Sequence, residues 1–189
     1  MIKIKMNISP EYKFLIYCSK SQANDITKNG LQEILCNNLN WQYILHQSIK
    51  EGTACFAYNN LLQFKQNISE DVWDRFKNIY YANMSRNIKI YEDMKAVLSS
   101  FNKENLKVIP LKGIFLAEKV YNNIALRTIS ADIDLLIKKE DLPNAAKILN
   151  DLGYRTPINK HLTQRAVEKS YINSIDYVKA EKSPPLHIH

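Results

Sequence analysis

With only four glycines and six prolines among its 189 residues, the chain is neither loop-rich nor disordered, and it has no glycine-rich phosphate loop. Its three cysteines, Cys18, Cys36 and Cys55, are odd in number, sit among apolar neighbours and show no C-x-x-C spacing. Neither a zinc site nor a disulfide framework is therefore expected. Buried free thiols in a reducing cytoplasm are the expectation instead. The first seven residues lack the continuous apolar stretch of a signal peptide. No later segment approaches the roughly eighteen apolar residues that cross a bilayer. Basic runs are missing too: the net charge of +7 is spread over the chain, with 13 basic against 10 acidic residues up to Asn105 and 13 against 9 after it. Such a charge suits a polyanionic partner, but without a lysine or arginine arm a solvated basic surface is the simpler reading. A soluble cytoplasmic protein without a membrane partner is expected.

What is present divides near residue 105. Residues 1–104 read as a helical region. Pro10 and Glu11 open a short helix with Phe14, Leu15, Ile16 and Cys18 on its apolar face. Asn29-Gly30 reads as a turn, followed by Leu31, Ile34, Leu35 and Leu39 at helical spacing. Trp41, Ile44, Leu45 and Ile49 continue the pattern until Gly52, and Phe56, Leu61, Leu62 and Phe64 make another short helix. Ser69 is placed as an N-cap, with Glu70 and Asp71 in the first turn where the helix dipole favours acids. From Trp73 to Phe101 apolar residues recur every three or four positions, which predicts one long helix with a single buried stripe.

Residues 105–189 change grammar, to strand, helix, strand, helix. Residues 107–111 form a strand pattern that runs into Lys112-Gly113 and a helix with Ile114, Phe115, Leu116, Ala117 and Val120. Residues 132–137 form a second strand, and Glu140-Asp141 open a helix that Gly153 closes. A helix is expected around residues 163–170, and residues 175–178 and 186–189 read as two more strands joined by a turn at Ser183-Pro184-Pro185. The chain stops inside a strand pattern, which predicts that it is the N-terminal portion of a longer protein.

The chemistry-bearing pair is Asp132 and Asp134. Residues two apart on a strand point to one face, so their carboxylates repel unless a divalent cation bridges them. The same spacing also fits two solvated acids at the entry of a strand. The neighbourhood favours the first: Gly113 at a helix start lets a phosphate approach backbone N–H groups, Lys112 adds a point charge, and Arg127 precedes the pair, although a tight turn, a solvated lysine and a surface ion pair fit the same three residues.

The succession Val108-Ile-Pro-Leu-Lys-Gly113, Tyr121, Leu126-Arg127, residues 132–137, residues 140–142 and Leu152-Gly-Tyr154 resembles a poorly characterised bacterial nucleotidyltransferase family of the polymerase-beta-type superfamily. The resemblance implies an α+β chain, a helical region ahead of a small mixed-sheet nucleotidyltransferase-like core that is partial here. It also implies transfer of a nucleoside monophosphate from an NTP to an acceptor hydroxyl on a small molecule, a protein or RNA. Mg²⁺, as a two-metal site in an active enzyme, would be held by Asp132 and Asp134, with Lys112, Gly113 and Arg127 on the nucleotide. Three departures stand out. Ile114 follows the turn glycine where a serine is usual, and one extra residue separates Arg127 from Asp132. The third carboxylate aligns with the segment containing His187, so the third ligand is either that histidine, a poor Mg²⁺ donor, or Asp176. Two other classes follow. One is a weakened nucleotidyltransferase fold that binds a nucleotide or, through its helical half, a protein. The other, ranked last, is a nucleic-acid binder using Tyr80, Tyr81 and Tyr91, which sit on core spacing instead of among lysines.

Overall fold

A computed structural model describes residues 8–127, 132–156, 174–179 and 185–189. The chain divides into two compact units, Met1–Met84 with Ala125–Thr128, and Ser85–Ile124 with Ile129–His189.

In the first unit, short helices start where side-chain oxygens can satisfy otherwise unpaired N–H groups. Helix α1 (Pro10–Cys18) is capped by Ser9, α2 (Asp25–Leu35) by Asn24 and α3 (Trp41–Lys50) by Asn40, each side chain accepting the N–H three residues on. Then come α4 (Ala54–Leu61), a 3₁₀ turn over Leu62–Asn67, and the start of the long helix α5 (Glu70–Lys103). Phe14, Leu31, Ile44, Leu61, Trp73 and Phe76 share one buried cluster. The expected turn at Asn29-Gly30 is not there, because Gly30 lies inside α2. A Cβ at this position would fall 2.6 Å from Cζ of Tyr17, so the glycine marks a close approach between side chain and helix. The cysteine expectation also needs correcting: Cys18 and Cys55 are buried, but Cys36 is exposed. Burial pushes the Cys18 thiol well up, which keeps it neutral. Asn83, buried on α5, donates to the carbonyls of Ala125 and Arg127 at 2.8 and 3.1 Å.

The second unit takes the remainder of α5. Its sheet contains β1 (Val108–Leu111), β2 (Ile133–Ile137), β3 (Tyr154–Arg155), β4 (Ile175–Lys179) and β5 (Leu186–Ile188), in the order β1-β2-β5-β4-β3. Strands β2 and β5 run parallel and the other neighbours antiparallel, so the sheet is mixed, as the α+β expectation requires. Helix α6 (Gly113–Tyr121) follows β1, and α7 (Leu142–Asp151) follows β2 after a 3₁₀ turn. Gly153 ends α7 with φ +89°, the left-handed exit that glycine adopts most easily. The expected helix near residues 163–170 and most of the expected turn at residues 183–185 lie outside the described residues.

Alternation assigns the two faces of this sheet. Ile133, Leu135, Ile137, Ile175, Tyr177, Leu186 and Ile188 are buried with Ile90, Met94, Val97 and Phe101 of α5, Ile114 of α6 and Leu149 of α7. Asn87, fully buried on α5, donates to the Ile124 carbonyl, and the Tyr91 hydroxyl donates to Glu118 Oε1 at 2.7 Å. The opposite face of the sheet carries Asp134, Asp176 and His187, and with them the candidate site.

Candidate functional site

Register brings the polar residues of three strands into one row. His187 on β5 is the Cα partner of Asp134 on β2 and of Asp176 on β4. Directly paired residues share a face, so the row reads Asp134, His187, Asp176. Asp132 precedes β2 by one residue and joins the same face at i−2 from Asp134, while His189 joins it two residues beyond His187. The hydrophobic alternation that buries Ile133, Leu135, Leu186 and Ile188 is what turns these acids and imidazoles the other way.

Each acid meets a cationic or imidazole partner. His189 Nε2 lies 2.9 Å from Asp134 Oδ1, and Lys112 Nζ stands 3.9 Å from the same oxygen. Asp134 is only 7% exposed, so these partners offset the cost of burying its charge. His187 bridges the other two carboxylates: its Nδ1 is 2.6 Å from Asp176 Oδ1 and its Nε2 4.0 Å from Asp132 Oδ2. The remaining oxygen, Asp132 Oδ1, is buried with no hydrogen-bond partner among the described residues. A buried carboxylate oxygen left in that state is costly unless something else fills its coordination.

Lys112 and Gly113 occupy the turn from β1 into α6. Both have positive φ, +44° and +41°. A Cβ on Gly113 would meet the Asp132 carbonyl oxygen at 3.6 Å, an ordinary contact. The glycine is therefore required by its backbone angle and not by a lack of room. The turn lies beside the segment that carries the acids. Arg127 is exposed and belongs to the first unit, where its carbonyl accepts from Asn83.

Among the described residues, no group of three or more His, Cys, Asp or Glu side chains stands as a ready metal-binding set. A cation that keeps several waters needs only one or two carboxylates from the protein. The open Asp132 Oδ1 together with the adjacent Asp134 fits that requirement. The sequence expectation offers His187 or Asp176 as a third ligand and gives His189 no part in the site. The structure joins both histidines to the acids, and the signal was their i, i+2 spacing, which matches that of Asp132 and Asp134. The parallel pairing of β2 with β5 that unites the two pairs is not visible in local sequence.

Among the described residues no helix is long and apolar enough to cross a membrane. No curated protein matches the chain, and no solved structure does. One family model does match, described as an uncharacterised nucleotidyltransferase, over residues 37–182. That range takes in Lys112, Gly113, Arg127, Asp132, Asp134 and Asp176 and stops short of His187 and His189. Covering well over half of the sequence, the match establishes that the chain belongs to the uncharacterised nucleotidyltransferase family.

Proposed function

We propose that this protein is a Mg²⁺-dependent enzyme that transfers a nucleoside monophosphate from an NTP to an acceptor hydroxyl, with Asp132 and Asp134 at its centre. The observation that carries the reading is the buried Asp132 Oδ1, without a hydrogen-bond partner among the described residues, beside Asp134 and the Lys112-Gly113 turn. Mg²⁺ bound to these two acids would neutralise charge on the phosphates and orient the attacking and leaving oxygens.

The protein's own groups have separate tasks. His189, with Nε2 2.9 Å from Asp134 Oδ1, holds that carboxylate in one orientation. The Lys112 side chain is 68% exposed, and its ammonium is free to turn from Asp134 to an incoming triphosphate. Gly113 begins α6, whose first N–H groups lie at the positive end of the helix dipole and favour an anion. Arg127 enters as a nucleotide contact on the strength of the resemblance. In the reaction the acceptor oxygen bonds to the α-phosphorus, the bond to the bridging oxygen breaks and pyrophosphate departs.

Titration calorimetry with a non-hydrolysable ATP analogue and Mg²⁺ tests the reading. Asp132→Ala and Asp134→Asn are expected to abolish or greatly weaken binding, and Lys112→Ala and Arg127→Ala to weaken it. Indistinguishable isotherms for wild type and Asp132→Ala would remove the site. One observation favours a second reading, a nucleotide-binding component without turnover: Asp176, the remaining acid of the row, is tied to His187. Release of labelled pyrophosphate from γ-labelled NTP separates the two, since only the enzyme produces it.

A further inference from the structure

The sheet order decides between the two candidates for a third ligand. Neighbouring strands lie about 4.8 Å apart. Asp176 on β4 is separated from Asp134 on β2 by the whole of β5, hence by about 9.6 Å of backbone. His187 is the immediate neighbour of Asp134. The place beside the aspartate pair therefore belongs to the imidazole, and Asp176 stands behind it.

The ring is held as a metal-binding histidine is held. Its Nδ1 faces Asp176 Oδ1 at 2.6 Å, the carboxylate–imidazole contact that fixes tautomer and ring angle for ligation through the other nitrogen. That other nitrogen, Nε2, faces Asp132 Oδ2 at 4.0 Å. Two neighbouring ligands of one cation at about 2.1 Å from it lie roughly 3 to 3.4 Å apart. A side-chain movement of about 1 Å would bring this nitrogen and oxygen to that separation. Asp132 contributes the further oxygen that has no partner among the described residues.

We infer that Asp132, Asp134 and His187 form a mixed carboxylate–imidazole site selective for a first-row transition-metal dication over Mg²⁺, with Asp176 as the residue that positions His187. The inference rests on the nucleotidyltransfer reading for the two aspartates, adds the identity of the third donor, and replaces Mg²⁺ by a first-row transition-metal dication as the preferred cation. Imidazole ligates first-row transition metals well and Mg²⁺ poorly, whereas carboxylates serve both. An all-carboxylate triad would not discriminate in this way.

The test measures cation binding to the tag-free full chain without nucleotide, with Mn²⁺ followed by its electron-spin-resonance signal, Mg²⁺ by competition and Co²⁺ by its visible bands. Wild type is expected to prefer Mn²⁺ over Mg²⁺ and to develop Co²⁺ bands. His187→Ala is expected to weaken Mn²⁺ binding about tenfold or more, and Asp176→Asn about tenfold, with Mg²⁺ binding little changed. His187→Asp, which restores an acid, is expected to lower the Mn²⁺-to-Mg²⁺ preference and to remove the Co²⁺ bands. Circular dichroism confirms that each variant is folded, and His187→Asp keeps the test decisive if the alanine variant is not. An unchanged Mn²⁺-to-Mg²⁺ ratio in both His187 variants, with binding still lost in Asp132→Ala, overturns this inference and leaves the aspartate site standing. Binding of both cations that is indifferent to Asp132→Ala overturns the underlying reading as well.

Discussion

Lys112 has φ +44° and ψ −153°, a conformation that a residue with a Cβ adopts only under strain, so replacing it by alanine and by glycine separates backbone strain from side-chain charge. Both variants lose the ammonium, and that loss is small for stability. The side chain is 68% exposed and its nitrogen is 3.9 Å from Asp134, a pair worth about 0–1 kcal/mol. The backbone term is larger: an angle pair of this kind costs a non-glycine residue about 1–3 kcal/mol. Glycine escapes that cost but gives up about 0.4–1 kcal/mol through its freer unfolded chain. Lys112→Gly is therefore expected to be more stable than Lys112→Ala by about 0.5–2 kcal/mol. At about 2–4 °C per kcal/mol for a chain of this size, that is a difference of several degrees in melting temperature. Urea unfolding followed by far-ultraviolet circular dichroism gives the free energies, and calorimetry with the ATP analogue gives affinities. Both variants are expected to bind the analogue equally weakly. A glycine variant no more stable than the alanine variant would refute the strain argument. A glycine variant that binds as tightly as wild type would refute a phosphate role for the ammonium.

Other consequences concern the interior of the second unit. Asn87→Ala leaves the Ile124 carbonyl without its buried donor and is expected to cost about 1–3 kcal/mol in the same urea assay. Leu149→Ala opens a cavity at a fully buried position, with an expected cost of about 2–5 kcal/mol. Tyr154 is almost fully buried and its hydroxyl has no hydrogen-bond partner among the described residues. Tyr154→Phe is accordingly expected to be neutral or stabilising at pH 7. Burial first, and then the charge of Asp93, pushes the Tyr154 pKa from 10 up to about 12. Below pH 10 both folded and unfolded states hold the proton, and between pH 10 and 12 only the folded state does. Wild-type stability should thus fall across that window by an amount of order 2 kcal/mol. The phenylalanine variant should fall by less, as measured by unfolding at pH 9 and pH 11.5.

Much of this structure is legible in the residues themselves, for local reasons. Period-two alternation from Ile133 to Ile137 places Asp134 opposite the buried face. The three-to-four spacing from Trp73 to Phe101 gives α5 its length. Openers and breakers at Pro10, Gly52 and Gly153 act within a few positions of themselves. Gly30 is misread because a turn and a close approach to Tyr17 call for the same missing Cβ. Cys36 is exposed although its neighbours Leu35 and Leu39 are apolar, since it is the C-cap of α2, two positions past Ile34, the last buried residue of that helix. The partnership of His189 with Asp134 spans 55 residues and depends on β5 entering between β2 and β4. No local pattern encodes that choice of neighbour. Asp132, Asp134, Asp176 and His187 could therefore be picked out as candidates from sequence, whereas the pairing of His189 with Asp134 could not.

That placement of β5 has a consequence for how the protein is made. Of the described strands, β5 is the last to leave the ribosome, yet it is an inner strand of the sheet. Strands β1 and β2 can pair early, across a short stretch of chain, while the other edge of β2 waits until residues 186–188 are synthesised. Closing that contact carries the entropy of a loop of some fifty residues, so it belongs to the slow, non-local part of folding. Until then β2 exposes an unsatisfied edge on an apolar strand, the kind of surface that invites intermolecular pairing. The acids and histidines come together in the same late event. A nascent chain is thus without its site until nearly all of this sequence has been translated, and stalled chains are expected to be the aggregation-prone species.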